Sequence, residues 1–307
     1  MKHRYNMNIA SNYRIDLLFS PHKEIFNMVC ITTLMDNRHS ENKALAAEHG
    51  LSLWVETSSF GPFLFDCGGG ANTLKNARRL GVDLSASHFT VLSHSHYDHA
   101  AGYRDLVETG LGGELLYTGP GFFEKKYARD GVKFTDLSAG FDRAFLLANG
   151  IAQEECGDLL SLFPGCWLVG NFERTHAMET IHPRFVRGTP AQWVPDEFRD
   201  EICLALDTQK GLVLVVGCSH PGILNMVKTV TLRTGRPVYA ILGGTHLVEA
   251  DEPRILQTMR ELKSFGVGLL GLNHCSGEQA EQIALADPSM ETVYLAAGDE
   301  VCFPTAE

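Results

Sequence analysis

HFTVLSHSHYDHAAG, residues 88–102, runs from an apolar stretch into four potential metal ligands within six positions: His94, His96, Asp98 and His99. The apolar half, HFTVLS, reads as a strand bounded by a turn. Alternate residues of an extended turn point to one side, so His94 and His96 converge while Asp98 and His99 face a second position. Imidazole nitrogen and carboxylate oxygen bind zinc-like ions at about 2.0–2.2 Å. A polar surface turn that gathers four such residues by chance is the weaker explanation, and the stretch predicts a metal centre at the end of a sheet strand.

Working outward, VCITTLM (29–35), LSLWVET (51–57) and GPFLFD (61–66) have the short apolar form of strands. NTLKNARRLGV forms a helical pattern ended by Gly81. EICLALD (201–207) and GLVLVVG (211–217) are separated by a Thr-Gln-Lys turn and predict a hairpin. Alternation follows: a helix in PGILNMVKTVTLR, a strand in PVYAILGG (237–244), and a helix in EPRILQTMRELKSFG with Pro253 in its first turn. Ile255, Leu256, Met259, Leu262 and Phe265 fall on one face of that helix. GVGLLGL (266–272) and TVYLAAG (292–298) close the series as strands, with a helix around 278–286 between them. Hairpins followed by β-α-β units give an α/β chain whose sheets are covered by helices.

Residues 1–27 are polar and weakly patterned, an extension or edge element; residues 28–307 make one domain. Inside it, about 119–195 reads as an irregular insertion, a lid or pocket wall. Its Phe122, Phe123, Phe163, Trp167 and Trp193 offer aromatic surface for a flat ring. A net charge of -11 without a dense basic run argues against nucleic acid and anionic membrane as partners. No apolar run reaches the ~18 residues of a membrane span, and the first residues lack the form of a secretory signal. Eight Cys without a C-x-x-C pair predict reduced thiols, and with them a cytoplasmic protein.

HSHYDH has the form H-x-H-x-D-H, and with it the chain resembles the metallo-β-lactamase superfamily over nearly its whole length. DN (36–37), AEHGLSLWVE (47–56), LFDCGGG, LSHSHYDHAAG, GCSHPGILN, GGTHL and NHCSG together resemble its dihydropteroate-synthase-like branch. The resemblance implies a four-layer αββα sandwich with one or two metals at the strand ends. It assigns His94 and His96 to a first ion and Asp98 and His99 to a second. It places His220 and His274 as further ligands, and Asp66 as the residue that orients the metal-binding turn. Where the superfamily usually has a bridging Asp after Gly, this chain has Gly217-Cys218; a thiolate binds zinc at about 2.3 Å, but a lone buried Cys is also ordinary packing. His246 in GGTHL is a ligand, a substrate contact or a structural residue. His176 in GNFERTH lies where the superfamily often has another ligand. Glu48 and His49 line the pocket or end a helix closed by Gly50, and Asp36 and Asn37 contact phosphate or pterin.

Two divalent ions are implied, zinc first, with iron or manganese accepted by the same donors. The expected protein is a metal-dependent hydrolase or transferase acting on a small phosphorylated or pterin-like molecule. Asp98 and Asp66 are its catalytic carboxylates, and the metals activate water or hold a phosphate or diphosphate leaving group. A non-catalytic, metal-stabilised small-molecule-binding protein is the alternative. A di-iron oxidoreductase is less favoured, because His96 stands where that class has Glu.

Overall fold

The computed structural model describes residues 3–5 and 27–306. Most of the proposed 1–27 extension lies outside the described residues; His3–Tyr5 forms an edge strand, parallel to Asp299–Pro304.

Alternation in the strands decides the layers. In Gly211–Val216, Leu212, Leu214 and Val216 point into one apolar cluster while Val213 and Val215 point into another. A strand buried on both faces reads as an unbroken apolar run, as GLVLVV does. The second of those clusters lies between an eight-stranded and a seven-stranded sheet, joining Val29, Ile31, Leu53, Phe63 and Phe65 of one to Leu204, Leu206, Val213 and Leu242 of the other. On the outer face of the seven-stranded sheet, Ile223–Thr234, Glu252–Ser264 and Glu278–Leu285 bury Ile223, Val227, Ile255, Leu262, Ala280 and Ala284. Asn72–Leu80, Gly102–Glu108 and Arg143–Ala148 cover the eight-stranded sheet through Leu74, Leu106 and Leu146. The result is helix, sheet, sheet, helix. In the seven-stranded sheet the hairpin Cys203–Thr208/Gly211–Val216 is antiparallel, and Val238–Gly243, Leu269–Leu272 and Glu291–Tyr294 then add in parallel.

The stretch 119–195 is not irregular throughout, although residues 170–184 hold no helix or strand. Its strands Lys126–Asp130, Lys133–Asp136, Phe185–Thr189 and Gln192–Pro195 form a separate four-stranded sheet. Ala152–Glu155 extends the eight-stranded sheet, and Leu159–Phe163 and Cys166–Val169 extend the seven-stranded one. These strands have four or five residues each and several face water, so no apolar rhythm marks them. The expectation of uniformly reduced thiols is also corrected. Cys30 and Cys302 stand opposite each other in the antiparallel pair Met28–Met35/Asp299–Pro304 and form a disulfide. The other six cysteines are free and buried. No helix among the described residues is long and apolar enough to cross a membrane.

Candidate metal centre

The site gathers at one end of the two sheets, where strands stop and backbone turns sharply. Asp66, Ser219, His246, His274 and Phe198 all have positive φ, between 50° and 61°. A non-glycine residue in that region costs of order 1–3 kcal/mol, and such residues cluster where function holds them.

Asp66, directly after strand Gly61–Phe65, is the internal anchor. Its Oδ1 accepts the Ser93 N–H at 2.7 Å, and its Oδ2 accepts the Ser93 hydroxyl at 2.8 Å and His99 Nδ1–H at 2.6 Å. That fixes the turn and leaves His99 Nε2 facing inward, 3.1 Å from Cys218 Sγ and 3.0 Å from His274 Nε2. His274 is held from behind: its N–H donates to Asp36 at 2.7 Å, and its Nδ1 lies 2.9 Å from Asn37 Oδ1. Tyr294 donates its hydroxyl to Asp36, completing the brace. Asp98 faces His274 Nε2 at 3.3 Å and His49 Nε2 at 3.1 Å.

On the other side, the Nε2 atoms of His94, His96 and His220 are buried with no hydrogen-bond partner among the described residues. Their rings stand 4.7–5.1 Å apart. Three unsatisfied imidazole nitrogens in one place demand a ligand, since a buried polar atom without a partner costs about 1–3 kcal/mol. Burial, helped by neighbouring histidines and Lys126, holds all three well below the usual imidazole range, in the neutral form that binds metal.

Among the described residues, three sets of ligand atoms at this site have all members within 4.8 Å of one another: His94, Cys218 and His220; His99, Cys218 and His274; and His49, Asp98 and His274. Cys218 belongs to the first two. Its thiol is pushed well up by burial, with Cys275 adding to the effect, so it is protonated until a cation is present. His99 departs from the other histidines: burial opposes its charge, but Asp66 and Asp98 raise it to about 9. A metal would therefore displace a proton there. The donor set of nitrogen, carboxylate and sulfur fits a divalent ion of the zinc type.

A ring of residues with no signal in local sequence supports the site. Asp200 Oδ2 accepts the Ser95 N–H at 2.9 Å, in the middle of HSHYDH, while its Oδ1 takes Lys126 Nζ at 2.5 Å. Lys126 is fully buried and also pairs with Asp196 at 3.2 Å. Glu201 accepts the N–H groups of Ser219 and His220 at 2.5 and 3.0 Å. Phe198 stacks on His220 at 3.8 Å, and Phe185 lies 5.2 Å from the same ring. The aromatic residues expected at the pocket sit elsewhere: Phe122 and Phe123 belong to an outer apolar cluster, Phe163 stacks on Phe60, Trp167 packs against the helix-covered cluster, and Trp193 lies under Arg129.

The structure brings together His94, His96, Asp98, His99, Cys218, His220, His274 and Asp66, with His49 and His246 adjoining. His176 is not among them. It faces Glu261 at 3.2 Å and the Asn225 side chain, a link between the loop before Glu179 and two outer helices. Asp36 and Asn37 brace His274. Glu48 receives a hydrogen bond from Asn72, and no helix ends at Gly50: residues 47–50 are a loop.

A sequence profile of the metallo-beta-lactamase superfamily matches residues 48–132, the span containing HSHYDH. The chain belongs to this superfamily, whose members usually bind metal ions. Over 295 residues it is 30% identical to the 7,8-dihydropterin-6-methyl-4-(beta-D-ribofuranosyl)-aminobenzene-5'-phosphate synthase of Methanocaldococcus jannaschii, covering 89% of this chain and 96% of that protein. Among solved structures it is similar to a metal-dependent hydrolase of the β-lactamase superfamily, with TM-score 0.75, 27% identity, and 89% and 98% of the two chains covered. A diphosphatase of the PhnP family shares the fold at TM-score 0.53 and 11% identity, over 90% of this chain and 97% of that one.

Proposed function

We propose that the protein is a metal-dependent enzyme acting on a small phosphorylated or pterin-like molecule, by group transfer or hydrolysis with a phosphate or diphosphate as leaving group. The observation that carries the metal dependence is the set of three buried Nε2 atoms without a partner among the described residues, beside a second ligand group that shares Cys218 with the first; the substrate class rests on similarity to the synthase. His94, His96 and His220 would hold one ion, and Asp98, His99 and His274 the other, with Cys218 between them. When bound, two divalent ions supply Lewis acidity, polarising a phosphoryl or carbonyl oxygen and favouring an anionic leaving group.

The remaining roles belong to the chain. Asp66, Asp200, Glu201 and Asp36 fix the backbone and rings of the ligands, so that little reorganisation accompanies the reaction. Phe185 and Phe198 exclude water from the His96 and His220 side. His49, 59% exposed and 3.1 Å from Asp98, is placed to exchange a proton between the site and bulk water. Similarity to the archaeal synthase favours transfer, in which an arylamine acceptor would displace a leaving group such as diphosphate from a dihydropterin; the hydrolase relative favours water as acceptor.

The test is metal analysis of protein purified without added metal, followed by turnover on a panel of phosphoesters and on a dihydropterin diphosphate with an arylamine acceptor. Turnover in the wild type, lost in Asp98→Asn with circular dichroism unchanged, supports the reading. Metal-replete protein without turnover on either arm would leave a binding protein instead.

A further inference from the structure

Arg184, His246 and Glu249 form a cluster beside the metal ligands. Arg184 immediately precedes Phe185, whose ring lies 5.2 Å from His220, 5.7 Å from His96 and 5.9 Å from His246. The guanidinium sits 4.7 Å above that ring, with Nη2 2.7 Å from one oxygen of Glu249. The second oxygen of Glu249 is 3.6 Å from His246 Nδ1, and the His246 ring is 4.2 Å from His220. Glu249 thus lies between a guanidinium and an imidazole, one residue away from a metal ligand.

Three features bear on Arg184 as a ligand contact. Its Nε is buried and has no hydrogen-bond partner among the described residues, so the fork has spare donors. The side chain is still 41% exposed, so a ligand can reach it. Of the other cations nearby, Lys126 is committed to Asp196 and Asp200; Arg254 gives Nη1 to the Thr180 carbonyl at 3.4 Å, its Nε also lacking a partner among the described residues, but unlike Arg184 it does not stack on Phe185 or pair with Glu249. In a chain of net charge -11, long-range attraction does not gather anions, and recognition of one has to be local.

We propose that Arg184 and His246 form the subsite for a phosphate group of the substrate, and that Glu249 occupies that place until the phosphate arrives. This rests on the reading that the substrate is phosphorylated. A phosphate presents three oxygens to a planar guanidinium fork and an imidazole N–H, where a carboxylate presents two. Glu249 competes for the same donors, so it sets a threshold that weak anions do not pass.

The experiment is calorimetric titration of metal-loaded protein with inorganic phosphate, ribose 5-phosphate and ribose. The wild type should bind both phosphates and not ribose. Arg184→Gln should weaken both by about 10-fold or more, as expected for a lost charged hydrogen bond. Arg184→Lys should fall between, and Glu249→Gln should tighten both, with metal content equal in all four proteins. Equal affinity in wild type and Arg184→Gln at equal metal content overturns the subsite and leaves the phosphorylated-substrate reading standing. No phosphate binding by the wild type overturns both. If Arg184→Gln loses metal or fold, Glu249→Gln decides: unchanged or weaker phosphate binding overturns the proposal.

Discussion

Asp98 has three imidazoles around one carboxylate: His49, His274 and, at 3.8 Å, His99. Burial works to raise its carboxyl, but His99 and the hydrogen bonds from His274 and His49 overcome that and hold it well below the usual range. The anion is therefore ready for a cation at any ordinary pH. We expect Asp98→Asn, His94→Ala and His96→Ala each to lose bound metal while keeping the wild-type circular dichroism spectrum; full metal occupancy in all three would refute the ligand assignment. Glu201 presents the opposite case. Burial, and then the charge of Asp200, pushes its carboxyl from 4.5 up to about 8, against two backbone N–H bonds that pull it down. The folded state keeps that proton over a range where the unfolded chain has lost it. The stability this contributes is complete below pH 4.5, falls as pH rises toward 8, and is gone above. In metal-free protein, urea midpoints of wild type and Glu201→Gln should therefore differ in slope between pH 4.5 and 8, and parallel curves would contradict the assignment.

The four-stranded sheet earns its place through one side chain. Lys126, at the start of Lys126–Asp130, carries its charge to Asp200, which holds Ser95 of the metal-binding turn. Lys126→Met leaves two buried carboxylates without their cation and should cost about 3–5 kcal/mol in urea unfolding. Adding Asp196→Asn should recover part of the loss, since one uncompensated charge then disappears; no recovery would mean that the damage is steric. At the end of strand Gly211–Val216, in the seven-stranded sheet, a Cβ on Gly217 would lie 2.0 Å from Ser93 Oγ and 3.1 Å from Asp66 Oδ2. Gly217→Ala should thus dislodge the Asp66 anchor and lower metal content although no ligand is touched; wild-type metal content would exclude that coupling. The four-stranded sheet was illegible in the sequence for a physical reason. Strands such as Gln192–Pro195 are exposed throughout, so nothing selects an apolar alternation. GLVLVV, buried on both faces, declares itself. The same contrast holds at the site: HSHYDH is local and readable, whereas Asp200 meets Ser95 across 105 residues and Glu201 meets Ser219 across 18. Lysine is seldom fully buried, so its type gave no hint of the role of Lys126.

Across the whole molecule, three apolar layers separate two helix tiers and two sheets; the hairpin and β-α-β order of the sequence anticipated sheets covered by helices, and the resemblance carried by HSHYDH supplied the four-layer order. Pairing of the thiols was not, because Cys30 and Cys302 are 272 residues apart and only the register of two strands brings them together. Closing so long a loop restricts the unfolded chain, and Cys30→Ser should lower stability by about 2–5 kcal/mol under oxidising conditions. In excess reductant the difference from wild type should vanish; a persistent gap would point to packing instead. The same bond makes residues 30–302 a covalent circle. A protease that cuts once at the turn carrying Val132, which is 98% exposed, opens the circle without releasing either piece. The nicked protein would keep its mass until reduced, and its two segments would remain tethered through strands at the beginning and end of the chain.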